Sequence, residues 1–277
     1  ELENMLSIFE KSSVVSQINN NNDKKVLKVP PELFRLLKRS GEYYALTQKA
    51  FDITVCPFVE LWGFGANKNN PPEPAAVRET LSHVGFDKIK LSEQDFTVTF
   101  DSPGMRIDFG GLAKGYAVDE ASRILKESGI KSGIVNMGGD LYCIGAGPDN
   151  RSWSIGIRDP DHKNEILAVL KIRNKAIATS GDYENFYIYD GKTRAHIIDP
   201  RTGYTVSNNL RSVTIIADDC AAADAFATAI FVMGENKGLE AVEKLPGIEC
   251  FLIIENGSEA KVVMSSGMKK YLKENET

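Results

Sequence analysis

The 277-residue sequence lacks the features that mark several classes of protein. Its longest apolar run, Cys220 to Met233, is shorter than the 18 or so residues that a membrane-spanning helix needs, and Asp224 interrupts it. The formal net charge is only -5, from 33 basic and 38 acidic residues, so no cationic surface for nucleic acid is indicated. The composition therefore predicts a soluble chain that does not bind nucleic acid.

Cysteine and histidine are also scarce. The four cysteines show no CxxC spacing, which predicts buried free thiols and excludes a zinc knuckle or a dense disulfide framework. Only three histidines occur, and the sequence contains neither HExxH nor GxSxG. Zinc hydrolases and serine hydrolases that depend on these motifs are thus excluded.

What remains is an ordinary globular composition, with 42% apolar and 26% charged residues. This length fits one large domain or two small ones, and because no linker interrupts the chain we predict one domain over residues 1–277. Leu2, Met5, Leu6 and Phe9 follow a helical period from the first residues. We therefore expect that an upstream segment, with any signal sequence, has been removed.

Helical patterns cluster early in the chain, and short strand patterns with one late helix follow them. The sequence predicts a surface loop over Asn19–Asp23, a helix from Pro30 to about Ala50 and a strand over Met105–Phe109. Asp190-Gly191 between two β-rich runs predicts a two-residue hairpin turn. This order predicts an α+β fold with a largely antiparallel or mixed sheet flanked by helices.

The first candidate site lies where the Met105–Phe109 strand passes through Gly110-Gly111 into a helix that ends at Gly129. A helix N-terminus offers free N–H groups and a positive partial charge, so this junction can bind an anion such as phosphate. Lys114 in the first turn opposes the helix dipole, and a bound phosphate would satisfy both. A plain strand-turn-helix with a solvated lysine is the alternative, and the residues alone leave it open.

The second candidate is a polar pair on the otherwise apolar helix that stops near Gly234. Asp224 and Thr228 stand one turn apart on one face of it. A buried carboxylate needs a metal ion, a lysine or an arginine to face it, and Mg²⁺ prefers oxygen ligands of this kind. A core aspartate paired with an arginine or with backbone amides is equally consistent with the sequence.

Polar loops at the ends of predicted strands form a third group. His196, Asp199 and Arg201 lie on a strand that ends in a turn, and His196 can act there as an acid, a base or a phosphate clamp. The alternative is a structural histidine beside a proline turn. Three further segments suit either a ligand or ordinary turn and core structure. They are Trp62–Gly65, Asn136–Asp140 and Thr179–Glu184.

Six of these segments resemble, in order, the sequence blocks of the FAD:protein FMN transferases, the ApbE-like family. They are Phe51-Asp-Ile-Thr-Val55 with Trp62-Gly-Phe-Gly65, Ile107-Asp-Phe-Gly-Gly-Leu-Ala-Lys-Gly-Tyr-Ala117, Asn136-Met-Gly-Gly-Asp140, Ser180-Gly-Asp-Tyr-Glu184, His196-Ile-Ile-Asp-Pro-Arg-Thr-Gly203 and Ala223-Asp-Ala-Phe-Ala-Thr-Ala229. Six blocks in one order are far more specific than any one of them. The chain is therefore identified as a member of this family, whose fold it is expected to share.

The resemblance implies a Mg²⁺-dependent transferase that cleaves FAD, attaches FMN to a threonine or serine of an acceptor flavoprotein and releases AMP. It implies Mg²⁺ ligands at the carbonyl of Ala113 and the side chains of Asp224 and Thr228. We expect catalytic roles for Lys114 and Asp224, with Lys114 and the metal neutralising phosphoryl charge, and our hypothesis for His196 is that it orients or deprotonates the acceptor hydroxyl. The FAD contacts that it implies are Asn19, Trp62, Gly63, Phe64, Gly110, Lys114, Tyr116 and Ile198.

Two other functions fit the same residues. A Mg²⁺-dependent FAD pyrophosphatase would use water in place of the acceptor hydroxyl, and a flavin-binding protein would retain FAD without forming AMP. The family usually begins with a further strand carrying a Met-Gly-Thr-like motif, which does not precede Glu1, and many members carry a signal or lipoprotein anchor. The resemblance thus implies the bacterial cell envelope, in the periplasm or on the outer face of the cytoplasmic membrane, with or without a lipid anchor.

Overall fold

The computed structural model of the chain describes residues 1–21, 26–64, 70–160, 162, 165–181, 186–189, 192–256 and 259–273. Parts of several predicted segments lie outside these residues, namely Asn22-Asp23, Gly65, Asp182–Glu184 and Asp190-Gly191. No helix in the described part of the chain has both the length and the apolar character needed to cross a membrane. The four cysteines are free and buried, as predicted.

The described residues form eight α-helices and four short 3₁₀ helices. The α-helices are α1 (Leu2–Leu6), α2 (Val14–Asn20), α3 (Pro31–Leu46), α4 (Cys56–Trp62), α5 (Pro74–Leu81), α6 (Ala113–Glu127), α7 (Cys220–Met233) and α8 (Glu235–Val242). The 3₁₀ helices are Ile53–Val55, Phe86–Lys88, Pro148–Asn150 and Ser266–Tyr271. The helix predicted from Pro30 ends before Ala50, because Gln48 and Lys49 adopt positive φ angles of 52° and 68°.

The strands in the described residues number thirteen. They are β1 (Leu27–Lys28), β2 (Ile89–Ser92), β3 (Thr97–Phe100), β4 (Gly133–Met137), β5 (Asp140–Ile144), β6 (Trp153–Arg158), β7 (Ile166–Ile172), β8 (Lys175–Gly181), β9 (Phe186–Tyr189), β10 (Lys192–Ala195), β11 (Leu210–Ala217), β12 (Glu249–Asn256) and β13 (Glu259–Met264). Each pairing between them is antiparallel. The predicted α+β class with antiparallel sheets is confirmed.

Contacts divide the chain into two compact units, Glu1–Gly111 with Asn185–Ser207 and Leu112–Glu184 with Asn208–Thr277. The prediction of one domain stays a prediction. The first unit contains a three-stranded sheet in the order β1-β3-β2 and the β9-β10 ribbon. In that ribbon Tyr189 pairs with Lys192, and the turn predicted at Asp190-Gly191 lies outside the described residues.

Two predictions in the first unit are wrong. Asn19 belongs to α2 and is buried, so the predicted surface loop does not begin there. Met105–Phe109 has no regular secondary structure and pairs with no described strand. Its backbone groups bond elsewhere, since Ile107 pairs with the side chain of Asn19 and the Asp108 N–H donates to the carbonyl of Ile53 at 2.7 Å. A local extended pattern cannot distinguish such a segment from a strand.

The second unit is built on a six-stranded sheet in the order β13-β12-β11-β8-β5-β4. Side chains of β8 alternate between its two faces. Ser180 reaches Thr228 of α7, whereas Ile177 joins a core cluster with Ile157 and Leu170 of the β6-β7 ribbon. Helix α7 therefore covers one face of the sheet and the ribbon covers the other.

Helix α7 is buried along nearly its whole length, as its apolar sequence predicts. Asp219 caps it by accepting from the N–H of Ala222 at 2.8 Å. A second carboxylate, from Asp119 of α6, accepts from the N–H groups of Cys220 and Ala221 at 2.7 and 2.9 Å. These contacts bind the start of α7 to α6 and fix Asp224 relative to the first turn of α6.

Candidate active site

A charged cluster in the second unit joins the first turn of α6, the start of β5 and the middle of α7. The Lys114 Nζ lies 2.5 Å from Asp140 Oδ2 and 3.3 Å from Asp224 Oδ1. The Asp140 and Asp224 side chains are only 3% and 5% exposed, whereas that of Lys114 is 45% exposed. Two buried carboxylates thus share one half-exposed ammonium group.

The β4-β5 turn places Asp140 in this cluster. Met137 pairs with Asp140, and the two residues between them, Gly138 and Gly139, have positive φ angles of 63° and 104°. Such angles suit a type I′ turn, whose twist matches that of the flanking strands and which glycine adopts without strain. Asn136 Oδ1 accepts from the Gly139 N–H at 3.0 Å and supports the turn. The Asn136–Asp140 segment is therefore a turn that places the buried carboxylate of Asp140 beside Lys114.

Close packing of α6 on α7 places Asp224 at the N-terminus of α6. A Cβ at Gly115 would lie 2.2 Å from the carbonyl oxygen of Cys220, so only glycine allows this approach. The Gly115 N–H then donates to Asp224 Oδ2 at 3.1 Å. The predicted anion at this helix N-terminus is thus met in part by the carboxylate of Asp224 itself.

The electrostatics of the cluster reflect burial opposed by charge pairing. Burial raises the pKa of Asp224 to about 6, which Lys114 counteracts and the like charge of Asp140 reinforces. Burial also raises the pKa of Asp140, against the effect of Lys114 and of a hydrogen bond from the Thr179 N–H. For Lys114, burial lowers the pKa, but the two carboxylates outweigh it and the pKa rises. Lys114 is therefore the charged partner that the buried carboxylate required.

The residues of the cluster fit a divalent cation. With both carboxylates ionised and Lys114 protonated, one negative charge remains uncompensated in a buried setting. Thr228 lies one turn after Asp224 on α7, and its Oγ1 is 3.4 Å from Ser180 Oγ. Ala113 is the first residue of α6. Carboxylate, hydroxyl and carbonyl oxygens are the ligands that Mg²⁺ prefers, so Ala113, Asp224 and Thr228 could hold it.

A second group of predicted residues forms an apolar cluster in the first unit. Trp62 and Ile198 are buried there with Phe64 packed against them. The rings of Trp62 and Phe64 stack with centroids 6.4 Å apart and planes at 18°, and Tyr204 meets Trp62 edge-on at 6.4 Å. The indole Nε1 of Trp62 donates to the Gly203 carbonyl at 2.8 Å. The structure thus brings together three of the residues predicted to contact FAD.

Two of the glycines predicted to contact FAD have local structural roles. Gly63 ends α4 in the left-handed region, with φ 73°, and its N–H donates to the carbonyls of Val59 and Glu60. The N–H of Gly110, expected to be free for an anion, donates to Asp108 Oδ1 at 2.9 Å. Neither observation tests contact with FAD, which stays a prediction for both.

Asn19 holds the segment that leads to Gly110. Its Nδ2 donates to the Ile107 carbonyl at 2.9 Å, and its Oδ1 accepts from the Ile107 N–H at 2.8 Å. Both ends of the amide are engaged by the backbone of one residue. Asn19 therefore acts on the predicted site through Ile107.

The remaining predicted residues are divided between the units. His196 follows β10 in the first unit and is partly buried. Arg201 forms a two-bond pair with Asp199, at 2.8 Å for each bond. The predicted turn is present, since the N–H groups of Thr202 and Gly203 donate to the Asp199 carbonyl at 3.1 and 2.8 Å. Tyr116, predicted to contact FAD, lies on α6 of the second unit and is partly buried.

Sequence reasoning did not place Asp140, Gly115 or Asp119 in the site. Asp140 stood out as an acid beside two glycines, but that pattern is equally typical of a turn. Gly115 inside a helical pattern was a usable signal, because an interior glycine lowers helix stability and indicates close packing. Asp119 carried no local signal, since its partners are about a hundred residues away in the chain.

A cavity of about 570 Å³ lies in the second unit next to the β4-β5 turn, since Asn136, Gly138 and Gly139 line it. Leu141, Ile177 and Thr179 line it together with residues of the β6-β7 ribbon. Asp140 and Leu141 are consecutive in β5 and point to opposite faces of the sheet. Asp140, Lys114 and Asp224 do not line the cavity, and we place the candidate chemistry at the charged cluster, where the polar groups converge.

The chain matches the ApbE family over residues 1–252. It is 32% identical to a Haemophilus influenzae protein named FAD:protein FMN transferase, over 96% of this chain and 78% of the relative. An Escherichia coli K12 protein of the same name is also 32% identical, over 97% and 78%. The comparisons confirm the transferase class predicted from the motifs.

Solved structures agree with these matches. The crystal structure of the ApbE protein from Thermotoga maritima superposes with a TM-score of 0.90 at 34% identity, covering 99% of this chain and 88% of that one. The flavin transferase ApbE from Vibrio cholerae gives 0.88 at 30% identity, with 98% and 86% covered. On the family match, the relatives and the shared fold, this chain belongs to the ApbE family.

Proposed function

We propose that the protein is a Mg²⁺-dependent FAD:protein FMN transferase that attaches FMN to a threonine or serine of an acceptor protein and releases AMP. The observation that carries the proposal is the cluster of Lys114, Asp140 and Asp224, with its uncompensated buried charge beside Thr228. The names of the relatives supply the flavin substrate and the protein acceptor. Phosphoryl transfer depends mainly on positioning and charge neutralisation, which such a cluster provides.

The metal would be held by Ala113, Asp224 and Thr228. When bound, Mg²⁺ would neutralise charge on the pyrophosphate oxygens. Lys114 is half exposed and anchored by Asp140, so its ammonium can donate to a phosphoryl oxygen while its position stays fixed. Gly115 fixes Asp224 through its N–H and through the close approach of α6 to α7.

In the proposed transfer, the hydroxyl oxygen of the acceptor attacks the FMN phosphorus. The new bond joins that oxygen to phosphorus, and the bond from this phosphorus to the bridging oxygen breaks, so AMP leaves with that oxygen. His196 would orient the hydroxyl or accept its proton on a ring nitrogen. The FAD contacts proposed in the first unit are Asn19, Trp62, Gly63, Phe64, Gly110 and Ile198, and those in the second unit are Lys114 and Tyr116.

The test is to incubate the protein with FAD and Mg²⁺, with and without an acceptor domain, and to measure AMP, free FMN and protein-bound flavin. Flavin bound covalently to the acceptor, and lost with Asp224→Asn, is the expected result. Asp218→Asn is a matched control, because that side chain is 76% exposed. AMP and free FMN formed equally without acceptor would indicate a pyrophosphatase instead. FAD retained with no AMP in any sample would indicate a flavin-binding protein.

His196→Ala tests the proposed base. Normal transfer by this variant would remove His196 from the mechanism.

The location of the protein is a separate proposal that rests on the family resemblance alone. We propose the bacterial cell envelope, and fractionation of cells that express the native gene, with antibody detection of the protein in cytoplasmic, periplasmic and membrane fractions, would test it.

A further inference from the structure

The two contacts of Lys114 are unequal. Its Nζ lies 2.5 Å from Asp140 and 3.3 Å from Asp224. Charge-assisted N–H···O bonds are typically about 2.7 to 2.9 Å long, so the contact with Asp140 is tight and the contact with Asp224 is loose. The Lys114 ammonium group is thus bound closely to Asp140 and only weakly to Asp224.

Only one member of the cluster has room to move. The Lys114 side chain is 45% exposed and flexible, whereas Asp140 and Asp224 are almost wholly buried and are also held by the N–H groups of Thr179 and Gly115. A competing cation that reaches Asp224 would therefore displace the ammonium and leave both carboxylates in place. Thr228, one turn along α7, offers that cation a second oxygen.

The charge of the cluster would change sign when such a cation binds. Two ionised carboxylates and one ammonium give a net charge of minus one, which repels a pyrophosphate. A divalent ion in addition gives plus one, which attracts it. Exchange of the cation on Asp224 would therefore also prepare the cluster for an anionic substrate.

We propose that Lys114 is an exchangeable counter-ion of Asp224. In the metal-free protein its ammonium neutralises Asp224, and Mg²⁺ replaces that contact while Asp140 keeps Lys114 in position. Asp140 is thus a positioning residue that acts through Lys114. This inference rests on the proposed function, because it assumes that Asp224 is a metal ligand.

Titration calorimetry with Mg²⁺ alone, in the absence of flavin, tests the exchange in four proteins. They are the wild type, Lys114→Met, Asp140→Asn and the double variant. Lys114→Met is expected to bind Mg²⁺ on the order of 10-fold more tightly, since no ammonium competes for Asp224. Asp140→Asn is expected to bind it more weakly, because Lys114 then pairs fully with Asp224.

The double variant separates competition from a simple field effect. A distant charge would change Mg²⁺ affinity by the same factor in both backgrounds. Under exchange, Lys114→Met raises the affinity more in the Asp140→Asn background, where Lys114 has only Asp224 as partner. The double variant also keeps the wild-type net charge of the cluster, so the effect of Lys114→Met in the Asp140→Asn background remains measurable if Lys114→Met alone does not fold, and no gain in affinity there would overturn the exchange. Equal factors in the two backgrounds would overturn the exchange.

Thermal unfolding gives a second readout without flavin. Without metal, Lys114→Met leaves two buried carboxylates without a cation, so its melting temperature should fall below that of the wild type, and Mg²⁺ should raise it more than it raises the wild type. Lys244→Met is the matched control, since Lys244 pairs with Glu240 on the surface of α8. A larger Mg²⁺ effect on the control than on Lys114→Met would contradict the exchange.

Asp159, His162 and Glu165 have potential ligand atoms within 4.8 Å of one another, so each measurement is repeated with His162→Ala and Asp159→Asn to exclude Mg²⁺ bound there. If the wild type binds Mg²⁺ and Lys114→Met binds it no more tightly, the exchange is overturned and the proposed function stands. If none of the four proteins binds Mg²⁺, the metal dependence of the proposed function is overturned together with the exchange.

Discussion

Each unit contains a buried aspartate whose pKa burial raises to about 6, and the two have different surroundings. Asp52, in the first unit, accepts from the N–H and hydroxyl of Thr54 at 2.8 and 2.6 Å and from the Phe86 N–H at 3.2 Å. Asp224, in the second unit, has Lys114 and the Gly115 N–H as partners and a like-charged neighbour, Asp140.

The comparison shows that burial and a raised pKa do not by themselves identify a functional carboxylate. The hydrogen-bond donors to Asp52 are all neutral groups. Thr54 Oγ1, one of these donors, in turn accepts from the Gly85 N–H at 2.7 Å. Such an arrangement caps the 3₁₀ helix Ile53–Val55 and needs no ligand. The cluster around Asp224 differs because it combines an excess buried charge with a half-exposed cation. Excess charge, rather than burial, marks the candidate site.

The largest expected effect concerns the pH dependence of stability at Asp52. Its pKa in the folded state, about 6, exceeds the ordinary value of 3.8, so the folded state binds more protons between these values. Stability is therefore present below about pH 4 and is lost as the pH rises through about 6, by about 3 kcal/mol in total. Urea unfolding from pH 4 to 7.5 should show this loss in the wild type and not in Asp52→Asn, apart from the contribution of other groups.

The difference in unfolding free energy between wild type and Asp52→Asn is the quantity to follow. Asparagine presents an amide to the Phe86 N–H, so an offset of about 1 to 3 kcal/mol at all pH values is expected. A difference that stays constant across the pH range would show that Asp52 does not titrate as its burial implies.

The second prediction concerns activity and Asp224, the other aspartate in the comparison. On the proposed function, Asp224→Asn should lower FMN transfer on the order of 100-fold or more, because it would remove one charged oxygen ligand of the proposed metal. Asp52→Asn is the matched substitution and should retain most of its activity at a temperature where it is folded. Rates of AMP release at saturating FAD and Mg²⁺ measure both. Equal losses in the two variants would remove the distinction between the aspartates.

The third prediction tests the packing that places Asp224 against α6. Gly115→Ala puts a Cβ 2.2 Å from the Cys220 carbonyl, so the helices must separate, at a cost of up to about 3 kcal/mol in stability. Misplacement of Asp224 by even 1 Å could lower transfer by up to about 100-fold. The control is Gly133→Ala, because an added Cβ there would lie 3.9 Å from the Ile130 side chain, an ordinary van der Waals contact. The control should have the same melting temperature and the same transfer rate as the wild type.

Much of the fold could be predicted from the sequence, because its signals are local. The Asp219 cap and apolar run of α7 and the first-turn proline of α3 each depend on neighbouring residues. Met105–Phe109 could not be predicted, since its backbone partners are Asn19 and Ile53, far away in the chain. Long-range partners decide whether an extended segment becomes a strand.

The candidate site divides in the same way. Asp224 could be predicted because it is a charged residue in an apolar helix, and Lys114 because it is a cation in the first turn of a helix. Each of these unusual features is visible within one segment of the sequence. Their contact with each other and with Asp140 was not, because it depends on how α6, α7 and β5 pack. Trp62 differs from these residues: the family resemblance implies that it contacts FAD, whereas in the structure its side chain is buried.

The smallest expected effect concerns that residue. Trp62 is 2% exposed and donates its indole N–H to Gly203, so it supports the turn before Tyr204, which is 43% exposed. Trp62→Phe keeps an aromatic ring and leaves the Gly203 carbonyl without its donor, which should cost about 1 kcal/mol. The thermal midpoint should fall slightly and KM for FAD should change little. A large rise in KM at unchanged stability would show instead that FAD binding needs the indole itself, and that an aromatic ring at this position is not sufficient.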